Sequence, residues 1–359
     1  MTTVYLDTSV AMNESFLKSP FAEAFLKACA ILQYAVVIPE IVIDELKGNY
    51  PKKLQEASAS FQKAKKEVIK LVDLPIPDID LLEAKNFFEE WLEEFLDEHG
   101  VVVAPYPDVA AKELVEQSYA LKKPFKGSGE GHKDYVIWKT ILGHISGDET
   151  TPPNIFLTSN TKDFCETSGE GAPSLHPDLA GQIGSLANTP TVYTSMKGAF
   201  ESELAPHLEG ITSDDIPNLG DHDIDAMAGK FLLDDLPNRS LFGLEGVPFG
   251  NEISISSVGT HSIDSVALKK VDDEVIVSVT GNVELEVDGF IDKFNFYSIE
   301  DETNNIHVMD GNWNDHVMWV TSSVETPFEL TIFYSTKSSE VTGHEISLPE
   351  EIEDDWPYK

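Results

Sequence analysis

The sequence predicts two folds in one chain: a three-layer α/β domain with a central parallel sheet, then an antiparallel β-sandwich or small barrel. Three observations carry this. Up to about residue 200, short β-branched runs alternate with stretches of helical periodicity, the pattern of strand–helix–strand units that build parallel sheets. From residue 252 the apolar period becomes two. Between them, residues 201–250 are acidic and broken by Pro and Gly, and read as a linker with short helices. The expected organisation is a first domain over 1–200 with a helical insertion at 51–125, the linker, an all-β domain over 251–350 and an acidic tail at 351–359.

In order, Thr3-Val-Tyr-Leu6 is a first strand ending at Asp7-Thr8-Ser9. Residues 14–33 carry Phe16, Leu17, Phe21, Phe25, Ala28 and Ile31 as the apolar face of a helix. Ala35-Val-Val-Ile38 is a second strand, and Pro39 suits the first turn of the next helix. On that helix Glu45 shares a stripe with Ile41, Val42 and Leu46, while Asp44 points elsewhere. Residues 51–72 and 79–99 form a Lys-rich and a Glu-rich helix, 101–104 a third strand and 107–121 a helix. The glycine-rich loop from Gly127 to Gly131 leads into a helix headed by Asp134, with Ile137, Trp138 and Ile141 on its face. Ile155-Phe-Leu-Thr158 is a fourth strand running into Ser159, Asn160 and Asp163, a short helix falls in 175–186, and Thr191-Val-Tyr-Thr194 is a fifth strand. In the second domain, runs at 252–256, 274–279, 282–287, 293–297, 316–320 and 328–334, parted by turn residues, read as strands of a sandwich or barrel of six to eight strands.

The formal charge is −38, divided as −11 over residues 1–200 and −27 over 201–359. Such a surface keeps a chain soluble and repels nucleic acid. A polyanion must enter at a local basic spot or across cations; Lys122, Lys123, Lys126 and Lys133 are one such cluster. Arg239 is the sole arginine, so bidentate guanidinium readout is nearly closed. Cys29 and Cys165 lack metal-ligand spacing and read as unpaired thiols of a reducing, cytoplasmic compartment. No secretory leader and no bilayer-spanning run is apparent, so no membrane role is expected.

Four acids share a pattern: Asp7 and Asp163 follow strands, Asp134 opens a helix and Glu45 lies on an apolar stripe. An aspartate at a helix start also serves as an N-cap. Parallel sheets gather such positions at their carboxyl edge. Four carboxylates stay ionised together only with cations among them, and an all-oxygen donor set suits Mg2+ or Mn2+. That site favours phosphodiester hydrolysis, with one or two ions activating water and steadying the leaving oxygen. Thr8, Ser9, Thr158 and Asn160 are the nearby polar groups for orienting water or phosphate. An aspartyl-nucleophile phosphatase is disfavoured by Ser9 two residues after Asp7, a P-loop by the missing Gly-Lys-Ser/Thr ending, and a serine hydrolase by the missing Gly-x-Ser-x-Gly elbow.

Leu6-Asp7-Thr8-Ser9, Ile38-Pro39 with Asp44-Glu45-Leu46, Lys133-Asp134-Tyr-Val-Ile-Trp, and Leu157-Thr-Ser-Asn160 with Asp163-Phe164 resemble, in order, the four acidic motifs of PIN-domain nucleases. The resemblance covers roughly residues 1–197 and none of the β-domain. It implies a metal-dependent endonuclease acting on single-stranded RNA or DNA, with Asp7, Glu45, Asp134 and Asp163 as catalytic metal-site acids. The fourth position varies in the family, and Asn160 is open to share its role. Lys126 and Lys133 join the substrate-binding set. Many relatives are toxins of toxin–antitoxin pairs and many dimerise, which extends the expectation to a toxin or defence effector and a homodimer. For the β-domain the expectation is recognition of a protein or small ligand, or restraint of the nuclease. Two alternatives stand beside this: a non-catalytic sensor or scaffold, and a structure-specific DNA nuclease.

Overall fold

Strands β1 (Thr3–Leu6) and β2 (Ala35–Pro39) pair in parallel, and the chain adds each later strand of the first sheet in the same direction. The computed structural model describes residues 2–72, 77–127, 129–145, 154–166, 172–183, 189–216, 219, 221–242, 244, 247, 252–298 and 306–349. They fall into two compact units, Met1–Leu208 and Glu209–Lys359.

In the first unit, Asp7 caps helix α1 (Thr8–Asn13) and Ser19 caps α2 (Pro20–Ile31). The single helix expected over 14–33 is therefore interrupted. Ser15, Phe16 and Leu17 all take positive φ, turning the chain so that Phe16 and Leu17 are buried ahead of Pro20. Helix α3 (Glu40–Ile69) runs through Pro51, where a break was expected. Proline removes one backbone donor there. Packing from α4 (Leu81–Glu98) holds the region, with Tyr50 stacked on Phe88 at 3.9 Å between ring centroids.

Then come β3 (Val102–Ala104), α5 (Ala111–Ala120), α6 (His132–Ile145), β4 (Ile155–Leu157) and α7 (Thr161–Phe164). The short β5 (Cys165–Glu166) and β6 (Ser174–Leu175) pair antiparallel, and α8 (Pro177–Ala180), β7 (Thr191–Tyr193) and α9 (Met196–Ala199) follow. The parallel sheet has the order β3-β2-β1-β4-β7. The strand expected at 101–104 inside the stretch 51–125 is present as β3, which pairs with β2 at the edge of the sheet. Val4, Leu6, Ile38, Phe156 and Leu157 on the strands and Phe25, Leu46 and Trp138 on the helices are all fully buried. Both cysteines are buried free thiols, and burial pushes Cys29 up to about 12 and Cys165 to about 11.

The second unit contains β8 (Gly210–Ile211), α10 (Asp221–Asp235), β9 (Ser240–Phe242), β10 (Glu252–Val271), β11 (Glu274–Asp292), α11 (Lys293–Ser298), β12 (Ile306–Asp310), β13 (Val317–Ser335) and β14 (Glu340–Ser347). The antiparallel sheet is present with seven strands, within the six to eight expected, but three of them are longer than the runs in the sequence. Runs 274–279 and 282–287 are one strand, as are 316–320 and 328–334. Gly281, between the two expected runs, lies inside β11, where an added Cβ would meet the Ser262 carbonyl oxygen; a close backbone approach needs the glycine. The run at 293–297 is helix α11, started by Asp292 accepting from the Phe294 N–H at 2.7 Å. Part of the expected linker is core. Ile224, Ala228, Leu232 and Leu236 are buried against Ile253, Val277 and Val287, so 221–235 is an amphipathic helix lying on the sheet. The tail at 351–359 lies outside the described residues. Among the described residues, no helix is long and apolar enough to cross a membrane.

Candidate active site at the strand-order switch

From β1 the chain moves to β2 and β3 on one side, then crosses to β4 on the other. Such a reversal opens a crevice beyond the carboxyl ends of the two central strands. Asp7 follows β1 directly, and its N–H donates to the Leu157 carbonyl of β4 at 2.9 Å. Its carboxylate is buried and accepts from the Thr8 N–H at 2.8 Å, the Ser9 hydroxyl at 2.6 Å and the Thr158 hydroxyl at 2.7 Å. Burial raises its pKa, these bonds act against that, and the charge of Glu45 raises it further.

Thr8 turns its own hydroxyl to Glu45, donating at 2.6 Å. Glu45 also accepts from the Lys133 ammonium at 2.7 Å. Asp44 is exposed and accepts from the Tyr106 hydroxyl at 2.6 Å, so it lies apart from this group, as the helical stripe indicates. Asp134 stands in the first turn of α6, with Tyr135, Ile137, Trp138 and Ile141 buried beneath. Gly131, just ahead, has φ +117, and a Cβ there would come within 2.6 Å of the Pro124 carbonyl oxygen. Glycine is what lets the loop fold this tightly into the helix. Burial, then the charges of Asp7, Asp163 and Glu45, push the Asp134 carboxyl up to about 6.

Asn160 ties the remaining pair. Its side-chain amide donates to Asp134 at 3.1 Å and to Asp163 at 2.9 Å, and its backbone N–H donates to the Thr158 hydroxyl at 3.1 Å. Asp163 is buried, takes the Lys126 ammonium at 2.9 Å on Oδ2, and leaves Oδ1 buried without a hydrogen-bond partner among the described residues. The ion pairs raise the pKa of Lys126 and of Lys133 through their bonds to Asp163 and Glu45. Thus the acids and polar residues singled out in the sequence, with both lysines, lie in one connected network. Sequence reasoning missed Ser159 and Asn13: the Ser159 N–H donates to the Ser9 hydroxyl at 3.0 Å, and the Asn13 amide reaches the Ser159 hydroxyl at 3.5 Å. Neither position carries a periodicity or charge signal.

Among the described residues, no three acids gather tightly enough to form a ready ligand cluster. Hydroxyls and an amide bridge the acids, and lysine ammonium groups cover two of them. The donors are nevertheless all hard oxygens, Asp163 Oδ1 has no partner among the described residues, and Asp134 is raised by burial and then by its neighbours' negative charge. That donor set fits a hard dication.

An α/β domain with an acidic crevice at its strand-order switch is the class these features define. Residues 4–164 match the family model described as PIN domain, and this part of the chain is a PIN domain, a family of generally metal-dependent nucleases. Comparison with curated proteins and with solved structures gave no match.

Proposed function

We propose that the PIN domain hydrolyses phosphodiester bonds of single-stranded nucleic acid, RNA in the first place, with Mg2+ or Mn2+ held by Asp7, Glu45, Asp134 and Asp163. The observation that carries this is the Asp134 carboxyl, raised to about 6 where burial and the charges of Asp7, Asp163 and Glu45 combine. A buried group under that pressure is relieved by a dication or a proton. When bound, such an ion lowers the pKa of its water and neutralises charge at the phosphate oxygens.

The chain's own residues set the geometry. Ser9, Thr158 and the Thr8 N–H fix the Asp7 carboxylate from both oxygens. Thr8 orients Glu45, and Asn160 spans Asp134 and Asp163. Asp134 must lose its proton to act as a ligand, so ion binding strengthens with rising pH. Lys126 and Lys133 are partly exposed at the crevice and, on release from Asp163 and Glu45, hold phosphate oxygens as point charges. A cytoplasmic toxin or defence role, with the C-terminal unit restraining the nuclease, extends this proposal.

The test is Mn2+-dependent cleavage of labelled single-stranded RNA, single-stranded DNA and a branched DNA side by side. Preferential loss of the RNA supports the reading. Preferential cleavage of the branched DNA favours a structure-specific nuclease. No cleavage of any substrate favours a sensor or scaffold, a reading to which the lysine–acid pairs lend support because they already neutralise Glu45 and Asp163.

A further inference from the structure

We propose that the C-terminal unit binds an organic ammonium cation, a quaternary or methylated amine, in an aromatic cavity against its sheet. The cavity measures about 620 Å3 and is lined by Asp288, Phe290, Trp313, Trp319 and Ser254, with Ile253 of the core at its edge. Its volume is within the usual range for small-ligand sites.

Alternation along the strands places these side chains. Ile253, Ile255, Val287 and Ile291 turn to the core, so Ser254, Asp288 and Phe290 turn the other way. Cross-strand register then sets Ser254 opposite Asp288, and Phe290 opposite Trp319. Trp313 comes from the turn between β12 and β13. That turn is held by polar bonds: Asp310 accepts from the Asn312 N–H, and Asn314 from the His316 and Val317 N–H groups. The Trp313 ring is 53% exposed, and the turn does not depend on burying it.

The three rings pack on one another as tilted pairs and form an aromatic wall of the cavity. Phe290 and Trp313 are 5.3 Å apart between centroids at 40°, and Trp313 and Trp319 are 6.0 Å apart at 59°. Among the described residues, no Lys, Arg or His lines the cavity, and none makes a hydrogen bond or ion pair with the Asp288 side chain. Aromatic faces attract a cation most strongly where water is partly excluded. A carboxylate at the rim adds to that attraction, and the balance of −27 over residues 201–359 repels a phosphate-bearing ligand. Inclined rings offer no parallel slot for a flat base, and the lining is poor in the several donors a sugar requires.

The experiment is calorimetric titration of the full-length protein with choline, with the neutral tert-butyl isostere of choline, and with one peptide carrying trimethyl-lysine or plain lysine. Saturable binding of choline or of the trimethylated peptide is expected, with the neutral isostere roughly tenfold weaker or worse. Tighter choline binding assigns a free amine as the ligand; tighter peptide binding assigns a methylated side chain. Trp313→Ala should weaken the cation by roughly tenfold. Asp288→Asn should weaken the cation but not the neutral isostere, a split that a folding defect does not produce; circular dichroism confirms that both variants fold. The proposal is overturned if neither cation binds, if the isostere binds as tightly as choline, or if both variants bind the cation like the parent.

Discussion

Thr158 shows how much one hydroxyl does in this crevice. It is fully buried, donates to the Asp7 carboxylate and accepts the Asn160 N–H, so it joins the two sides of the network. Thr158→Val keeps the shape and leaves a buried carboxylate short of a donor. The expected cost is about 1.5–3 kcal/mol in urea unfolding, the scale for hydrogen bonds to charged groups. An unchanged unfolding midpoint would contradict the network. Asp134 supplies a pH signature. Its carboxyl rises from 3.8 to about 6 in the fold. Between those values the folded chain keeps a proton that the unfolded chain has lost, so stability falls as pH rises through that window. In EDTA, Asp134→Asn should therefore melt above the parent near about pH 7, with the gap closing toward about pH 4. A gap of constant size would show that the carboxylate's charge is not the cause.

Elements position these residues, and Gly131 is where an element is most exposed to disruption. Gly131→Ala must shift the loop off Pro124 or tilt the start of α6, and Asp134 moves with it. The expected result is a loss of about 1–3 kcal/mol, the usual scale of backbone strain, together with weaker Mn2+ binding in a calorimetric titration. Wild-type stability and metal affinity would mean that the loop does not set Asp134. The elements also mark how far the sequence could be read. Asp7 and Asp134 were legible because each sits at an element end announced by local pattern, a β-branched run in one case and an apolar stripe in the other. The break at Ser15–Leu17 was not, because Phe16 and Leu17 continue the helical stripe while their backbones leave it. The bonds of Lys126 to Asp163 and of Lys133 to Glu45 were hidden too, since they depend on a glycine-rich loop folding back. In the β-region, Gly281 and Pro327 fall between runs that read as separate strands but lie within β11 and β13, which tertiary pairing carries past them.

For the whole molecule, charge decides how a substrate is admitted. A chain of net charge −38 repels a polyanion everywhere except where lysines gather. Lys126→Ala with Lys133→Ala should thus raise the KM for RNA several-fold and leave the Mn2+ affinity equal or higher, because Asp163 and Glu45 lose their competing partners. Steady-state kinetics and a Mn2+ titration check both halves; weaker metal binding with KM unchanged would reverse the assigned roles. The C-terminal unit, built on three long strands and a helix, carries most of the negative charge and, by the cavity argument, a cation site of its own.

The most direct measurement is cleavage of labelled single-stranded RNA in Mn2+ and in EDTA by the parent, Asp7→Asn and Asp134→Asn, with circular dichroism confirming that all three fold. The account predicts cleavage by the parent in Mn2+ alone, with a loss in both variants of roughly a hundredfold or more, the scale for removing a charge-stabilising group. Equal cleavage by parent and variants, or equal cleavage in Mn2+ and EDTA, would contradict it.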